Sequence, residues 1–524
     1  MEGKQISLLP LSSAKRSSMA PPVGDDAEVS PKPRFQPIDR QQLCWRTVDV
    51  ERLVAEDHSV RAIWEFVGKL DLSGYSKGVR AVEGVAGRPL LNPQLLISLW
   101  IYAYSQGVGS ARAIEKLCRY DPAYQWLTGM EAVNAHSLSD FRVEHEQELK
   151  ALFVQILGLL NAEGLITLER VTQDGTKILA SAARDSFRSR EGIKKALEAA
   201  QQQVTAVDQL SEEETSRRVE KARQRAHRER KERLEAALAQ FDKEKSEGGV
   251  KGREKPKVSV TDPEARIMKQ PDGGFAPSYN VQVNTDAAHG LIVAVGVTQA
   301  GNDSDELMSG LERIEENLGK TPKQVVADGG YVSRDNILEM ESRQVDFIAA
   351  PCDEAGKGKS NYKAQGISVD YQGSRFTYDA ATNSFQCPQG KTLPYQGKSK
   401  CDSKIIHKYC ADAADCQNCV AKGQCCPGNT KSGRAVHRIE ELEPVIKFRR
   451  KMETEEAREI YRHRAQIAET PNLWIKAKFR LRQFYLRGLR KVGMESLWAC
   501  LTYNVCQWIR LSWRKQEAVV NMTA

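Results

Sequence analysis

The feature that most constrains the fold is the sequence of strand-like and helix-like patterns after residue 164. Apolar residues at every second position predict strands, and apolar residues three and four apart predict helices. A strand in LITLERVTQD comes first, followed by two polar helices and a strand pair in SYNVQVNTDAAHGLIVAVGV. A helix, a strand in KQVVADGG, a helix and a strand in VDFIAA complete the series. This mixed order predicts an α/β domain with a central mixed sheet.

Two aspartates stand out because each is predicted to end a strand and each precedes a glycine. They are Asp174 in VTQDG, where Gly175 predicts a tight turn, and Asp328 in VVADGG. Carboxylates at adjacent strand ends converge, and glycines let a phosphate approach closely. Oxygen ligands of this kind suit Mg²⁺, and two such ions ~3.5–4 Å apart promote an in-line displacement. Taken singly, an Asp-Gly pair is also an ordinary turn.

Two metal ions need a third acid to hold them well, and Glu469 is the candidate. It lies in YRHRAQIAETPNLWIKAKFR, among basic residues that would neutralise phosphates, and Lys476 follows seven residues later. Pro471 is expected to kink or restart the helix near this glutamate. The alternative acids of the same segment are Glu455, Glu456 and Glu459.

The rest of the chain predicts units of different character. Residues 1–36 are rich in Ser, Pro and charge, which predicts a disordered arm. Residues 37–160 have helical spacing and predict an all-helical domain, either a helix-turn-helix DNA-binding domain or a packing or dimerisation domain. Within the α/β core predicted at 161–380, residues 190–255 carry thin apolar stripes in a charged background. That pattern predicts an inserted coiled-coil hairpin whose charges form a solvated face.

Charge and hydropathy bound the partners. Lys and Arg total 77 against 69 for Asp and Glu, a net charge of +8 that permits a polyanionic partner. The basic helical segment predicted at 441–524 contains KFRRK, KAKFRLR, LRGLRK and IRLSWRK with interleaved aromatics. We expect most of the aromatics in a core and some of the arginines on DNA phosphates. No apolar run reaches the ~20 residues that span a bilayer, and the N-terminus lacks a secretory signal. A cytoplasmic protein with no membrane partner is therefore expected.

The cysteines are concentrated in one segment: seven of the 12 fall between Cys387 and Cys426. In a cytosolic chain, a local cluster favours metal ligation over disulfides. The segment 381–440 therefore predicts a small Cys-rich insertion with a candidate structural Zn²⁺ site, since a pair two residues apart gives a close bite. Reduced, partly buried thiols are the equal alternative. The candidate ligands are Cys410, Cys416, Cys419 and Cys425, with Cys387 upstream in FQCPQGK. The competing ligands are Cys401, His407 and Cys426.

Three segments of the chain resemble a known family. VTQDGTK, VVADGGYVS and YRHRAQIAETPNLWIK resemble the three acidic motifs of DDE transposases from bacterial insertion sequences. The resemblance runs from roughly Phe35 to Arg510. It includes RPLLNPQLLISLWIYAY with HSLSDFR, DPEARIM with YNVQV, and LRGLRKVGMESLWACLTYN. It implies an RNase H-like catalytic core.

The resemblance also implies residue roles. Asp174, Asp328 and Glu469 would be the catalytic triad and the ligands of Mg²⁺ or Mn²⁺. Tyr461, Arg464 and Lys476 would contact DNA. The spacings Tyr461 to Arg464 and Glu469 to Lys476 match the family's usual gaps. The gap from Arg464 to Glu469 is one residue longer than in the commonest form, so Arg462 is the alternative arginine.

The function implied is metal-dependent cleavage at the ends of an insertion sequence and strand transfer into target DNA. The partners implied are DNA and a second copy of the chain, because two ends must be synapsed. Two alternatives stay open: a transposon-derived DNA-binding protein without cleavage activity, and a metal-dependent nuclease that cuts without joining.

Overall fold

The computed structural model describes residues 40, 47–77, 90–209, 217–246, 257–351, 362, 365–401, 404–427, 432–440 and 442–514. The predicted disordered arm, residues 1–36, lies outside the described residues. The helices and strands all belong to one compact unit that begins at Asp49. None of the described helices is long and apolar enough to cross a membrane.

The N-terminal region is helical, as predicted. Its helices are α1 (Ser59–Gly68), α2 (Pro93–Ser105), α3 (Ala111–Tyr120), α4 (Pro122–Thr128), α5 (Ala135–Glu144) and α6 (Glu146–Ala162). Helix α2 begins at Pro93, where the Asn92 side chain accepts a hydrogen bond from Gln94 N–H, because proline suits the first turn and asparagine suits the cap. Its run from Leu96 to Ser105 is buried throughout.

The strands of the α/β region are β1 (Arg170–Leu179), β2 (Phe187–Arg188), β3 (Val258–Ser259), β4 (Arg266–Lys269), β5 (Phe275–Asp286), β6 (Ile292–Thr298), β7 (Gln324–Ala327) and β8 (Asp346–Ala349). All except the pair β2 and β3 form a six-stranded sheet in the order β4-β5-β1-β7-β8, with β6 also pairing with β5. Strand β1 runs antiparallel to β5 and parallel to β7. The predicted mixed sheet is therefore present.

The predicted hairpin consists of two long helices, α7 (Arg190–Gln209) and α8 (Arg217–Ser246). Their contacts show that they run antiparallel. Arg190 pairs with Asp242, and Arg230 Nη1 donates to Gln203 Oε1, so the start of one helix lies beside the end of the other. A small apolar core joins the helices to β3, where Leu234 and Val258 are both buried.

The remaining helices are α9 (Glu306–Leu318), α10 (Arg334–Ser342), α11 (Ala413–Gln417), α12 (Lys422–Cys425), α13 (Glu443–Met452), α14 (Glu455–Arg462), α15 (Arg464–Leu473) and α16 (Leu489–Trp508). Short 3₁₀ turns occur at Val50–Leu53, Ser73–Ser76, Arg184–Ser186, Gly329–Tyr331, Val369–Tyr371 and Gly373–Arg375. Two π-helical turns, Trp474–Lys478 and Ile509–Trp513, follow α15 and α16. Pro471 lies inside α15 rather than ending it.

A second sheet contains the cysteine-rich segment. Its five strands, in the order β13-β12-β11-β10-β9, are all antiparallel to their neighbours. They are β9 (Thr377–Asp379), β10 (Ser384–Gln386), β11 (Thr392–Cys401), β12 (Lys404–Cys410) and β13 (Ala435–Glu440). Phe385, Leu393 and Tyr409 form its buried core, so these strands build an apolar cluster of their own.

Helix α16 joins the N-terminal helices to the large sheet. It is buried along most of its length. Trp498 lies 6.5 Å from Trp100 of α2 between ring centroids, and the Asn504 side chain hydrogen-bonds both the N–H and the carbonyl of Ile292 in β6. One apolar core consequently runs through the helical region and the sheet.

Candidate active site

Asp174 and Asp328 directly follow a paired position on two neighbouring parallel strands of the large sheet. The register pairs Gln173 of β1 with Ala327 of β7, and the two carboxyl groups are close enough for Asp328 to raise the pKa of Asp174. Asp328 directly follows β7, and its side chain accepts a hydrogen bond from Gly330 N–H at 2.7 Å. Asp328 therefore lies at the end of its strand, as the sequence predicted.

The prediction that Asp174 ends its strand is wrong. Strand β1 continues for five residues beyond it, to Leu179, and Gly175 forms a regular pair with Gln282 of β5 instead of a turn. The strand continues because β5 pairs with it as far as Leu179, and because Ile178 is buried in the core. Asp174 is therefore held by a central strand, a more rigid support than a turn.

Three side chains from the C-terminal segment surround Asp174. Asn472 Nδ2 donates to Asp174 Oδ2 at 2.9 Å, and Arg464 Nη1 lies 3.9 Å from Asp174 Oδ1. Lys476 is close enough for the Asp174 carboxylate to oppose the lowering of its pKa by burial. The structure thus brings residues almost 300 positions apart in the chain to one carboxylate.

Burial dominates the electrostatics of Asp174. It raises the pKa of this carboxyl from 3.8 to about 6, an effect opposed by Arg464 and by the Asn472 hydrogen bond and reinforced by Asp328 and Asp303. The carboxylate is only 18% exposed, and Arg464 only 15%. Two neighbouring carboxylates with incomplete compensation form a site that favours an added cation.

Asp303 approaches β1 from the opposite face of the sheet. Its Oδ1 accepts hydrogen bonds from Asn280 at 2.7 Å and from Gln282 at 2.6 Å. A Cβ atom on Gly175 would lie 2.3 Å from this oxygen. Since successive residues of a strand face opposite sides, Asp174 points away from Asp303. Gly175 is consequently a glycine because Asp303 fills the space beside it.

Comparison with family models identifies both parts of the chain. Residues 48–144 match a model described as a transposase domain, and residues 250–505 match one described as a transposase DDE domain. The chain belongs to the insertion-sequence DDE transposases. Its function is that of a DNA transposase.

Comparisons with solved structures and with curated proteins do not refine the family assignment. A piggyBac transposase, solved by cryo-EM as a synaptic complex with hairpin DNA, is 8% identical over 88% of this chain and 81% of its own. Its TM-score of 0.22 is too low to support an argument about the fold. No curated protein matches the chain. The DDE-domain match includes Asp328 but begins after Asp174, so only the structure links the two aspartates.

Glu469, the transposase's candidate third acid, is exposed on α15. It lies three residues before Asn472, and residues at this spacing share one face of a helix. Asn472 is buried and contacts Asp174, so Glu469 lies on the helix that reaches this aspartate. The alternatives Glu455 and Glu459 form ion pairs with Arg462.

The arginine alternatives are separated by their partners. Arg462 is paired with Glu455 and Glu459 on α14. Arg464 faces Asp174 instead, and its guanidinium lies 5.7 Å from the centroid of the Tyr461 ring. Its Nη1 is buried without a hydrogen-bond partner among the described residues.

Sequence reasoning missed Asn472 and Asp303. Asn472 lies in the quoted third motif, but an asparagine within a helix carries no signal without its neighbours in space. Asp303 in GNDSD resembles an ordinary loop residue. The available signal was Gly175, because a glycine inside a strand often marks a close approach by another group.

The cysteine cluster is only partly as predicted. Five cysteines line one cavity beside the second sheet: Cys387, Cys416, Cys419, Cys425 and Cys426. Cys410 Sγ instead donates to the carbonyl of Gly433 at 3.4 Å, and His407 pairs with Glu440. The side chain of Cys401 lies outside the described residues. Within the described part of the chain, no group of three or more His, Cys, Asp or Glu side chains is arranged to hold a metal ion.

Proposed function

We propose that this transposase cleaves DNA at the ends of an insertion sequence and joins the cut ends to target DNA, with divalent cations bound by Asp174, Asp328 and Glu469. The observation that carries the proposal is that Asp174 and Asp328 directly follow the pair Gln173 and Ala327 of two parallel strands, with Arg464 beside Asp174. The site thus combines carboxylate oxygens that can bind a metal ion with an arginine that can bind a phosphate. An inactive DNA-binding descendant would have no need to maintain it.

The residues present fit Mg²⁺ or Mn²⁺. Asp174 is costly to ionise where it lies, because burial and the neighbouring Asp328 raise its pKa, and a bound cation would offset both effects. The third ligand requires the exposed Glu469 side chain to turn toward the pair, since the described carboxylates do not form a complete set. When bound, the ions would supply an activated hydroxyl and stabilise the leaving oxygen.

The surrounding side chains have separate roles in this proposal. Arg464 would donate its unpartnered Nη1 to an oxygen of the scissile phosphate. Lys476 would neutralise the same phosphate as a point charge. Asn472 holds Asp174 in one orientation through its 2.9 Å hydrogen bond, and Tyr461 supports Arg464 by stacking.

The proposal also includes predictions about the large sheet, the helical region and the assembly. We infer that the large sheet is the RNase H-like core, supported by its antiparallel unit β1-β5-β6 extended by the parallel strands β7 and β8. The helical region would read the element ends, and a second copy of the chain would synapse them. A structural zinc ion on the cysteine cluster, a cytoplasmic location and the segment boundaries stay predictions.

A strand-transfer assay tests the proposal. With Mg²⁺ and labelled element-end duplexes, Asp174→Asn, Asp328→Asn and Glu469→Gln should each reduce joined product by about 10³-fold or more, a loss of about 4 kcal/mol of transition-state stabilisation. Glu459→Gln is the matched control, because this acid of α14 already pairs with Arg462, and it should stay near wild type.

The possible outcomes separate the alternatives. Cut ends without joined product would indicate a nuclease. Specific binding of the duplex without cutting would indicate a DNA-binding protein. Normal joining by Asp174→Asn or Asp328→Asn would refute the proposed site, and loss with Glu459→Gln but not Glu469→Gln would move the third ligand to α14.

A further inference from the structure

Four arginines from three different segments line one cavity beside the helical hairpin. Arg188 ends β2, Arg230 and Arg233 lie on α8, and Arg487 lies in the segment before α16. The cavity has a volume of about 190 Å³, well above the ~10–15 Å³ that one water requires. The other lining residues are Ala196, Leu234, Val260 and Thr261. We call this cavity the arginine pocket.

The charge of the arginine pocket is uncompensated. None of its lining residues is acidic, and among the residues that the structure describes no carboxylate pairs with any of the four guanidinium groups. Two of the arginines have neutral hydrogen-bond partners: Arg230 donates to Gln203 Oε1 at 3.2 Å, and Arg487 donates to the carbonyl of Ser181 at 3.0 Å. Like charges gathered in one cavity repel one another, so the pocket favours an anionic ligand.

The pocket is fixed relative to the catalytic sheet. Leu179, at the end of β1, exchanges backbone hydrogen bonds with Arg482 and Phe484, which ties the segment carrying Arg487 to the strand carrying Asp174. Ser181, which binds Arg487, lies seven residues after Asp174. The pocket is therefore attached to the strand that carries Asp174.

We propose that the arginine pocket binds a backbone phosphate of duplex DNA. Guanidinium groups suit phosphate because their planar fork donates two parallel hydrogen bonds. The inference rests on the proposed function, in which this protein binds and cuts DNA. It assigns the hairpin a role in holding DNA, in addition to the solvated face expected from its sequence.

Binding in EDTA tests the pocket apart from catalysis. Fluorescence anisotropy of the full chain with a labelled 40-bp duplex would be measured across NaCl concentrations. Arg230→Gln/Arg233→Gln should weaken binding about tenfold and lower the slope of log K against log salt by about 1 to 2. Arg188→Gln and Arg487→Gln should each weaken binding severalfold, because the site is built from three segments.

The matched control removes the same charge from the same helix. Arg225 and Lys231 of α8 each pair with a glutamate four residues on and do not line the pocket. Arg225→Gln/Lys231→Gln should change affinity less than twofold, and circular dichroism checks that each variant keeps its helices. Equal losses in the control and pocket variants would overturn the proposal, as would a loss confined to the α8 arginines.

Two further comparisons distinguish a DNA phosphate from a small anion, and the pocket proposal from the proposed function. If inorganic pyrophosphate binds the pocket while the pocket variants bind DNA as wild type does, the pocket is a small-anion site and the proposal fails. If the pocket variants lose DNA affinity while wild type forms no joined product with Mg²⁺, only the proposed function fails. If wild type joins DNA normally and the pocket variants bind DNA as wild type does, only the pocket proposal fails.

Discussion

At the scale of single residues, the site is organised around one carboxylate that folding penalises. Asp174 is buried between Arg464, Asn472 and the neighbouring Asp328, and burial is the largest contribution to its raised pKa. Functional sites often concentrate perturbed titratable groups of this kind. The residue-scale predictions concern what this arrangement costs and what its neighbours require.

Asp174→Asn should stabilise the transposase when divalent cations are absent. The native pKa of about 6 exceeds the ordinary 3.8, so the folded state binds the proton more tightly and stability falls as pH rises from about 4 through 6. Above pH 6 the free energy of unfolding of the variant should therefore exceed that of wild type by about 1–3 kcal/mol. The upper value follows from about 1.36 kcal/mol per pKa unit. Urea unfolding in EDTA at pH 5 and 8 measures it.

The control for this effect is Asp370→Asn, on an exposed residue, which should leave stability unchanged at both pH values. Added Mg²⁺ should reverse the ranking, because only wild type has the full carboxylate set. A variant less stable than wild type at pH 8 in EDTA would contradict the prediction.

Gly175→Ala should destabilise the fold by about 1–3 kcal/mol, the usual cost of overpacking. The added Cβ would lie 2.3 Å from Asp303 Oδ1 and 2.5 Å from Gln282 Nε2. Thermal unfolding gives the measurement, and Gly158→Ala on α6 is the control because nothing lies within 4 Å of its Cβ position. The cost should shrink in an Asp303→Ala background. Equal costs in both backgrounds would show that Asp303 is not the obstacle.

At the scale of elements, α15 and the cysteine cluster each gather separated chemistry. Helix α15 continues through Pro471 and ends in a π-helical turn that contains Lys476, which lets Arg464, Asn472 and Lys476 all approach one aspartate. The cysteine cavity gathers Cys387 from one side of the second sheet and four cysteines from α11, α12 and the residues beside them.

The purified protein should contain about one zinc ion per chain, lost on Cys416→Ser/Cys419→Ser, because thiolates two residues apart suit a tetrahedral ion. Elemental analysis measures the content. Cys387→Ser and Cys410→Ser decide the remaining ligand: we expect the first to lose zinc, since Cys387 lines the cavity and Cys410 bonds to Gly433. Absence of zinc from the wild-type protein would end the idea.

At the scale of the whole molecule, one apolar core joins the helical region to the large sheet. Glu163, which directly follows α6, connects that helix to the end of α16, since its carboxylate accepts hydrogen bonds from Trp508 and Ser512. A shared core makes the two regions move together, so DNA held by the helices would be presented to the sheet in one orientation.

Two copies of the chain should assemble on DNA, because transposition must hold two ends together. Sedimentation of the protein with an element-end duplex should give a complex with two chains and two duplexes. Asp174→Asn is the control and should assemble as wild type does, because assembly precedes chemistry. A complex of one chain with one duplex under conditions that support joining would contradict the expectation.

The sequence was sufficient for the elements with strong periodicity. The strand pair β5 and β6, the strands β7 and β8 and the helical N-terminal region follow local patterns, and Asp328 was correctly expected at the end of β7. The predicted end of β1 at Asp174 was wrong, because the strand continues through its pairing with β5 in spite of Gly175. Neighbouring strands override a local turn signal.

By itself the sequence determined the family and the mixed fold, because motif spacing and periodicity are local properties of the chain. Only the tertiary structure decided which groups meet. It brought Asn472 to Asp174, Asp303 to the space left by Gly175, and four arginines from three segments to one pocket. Contacts between residues hundreds of positions apart arise from packing and register, and no local pattern encodes them.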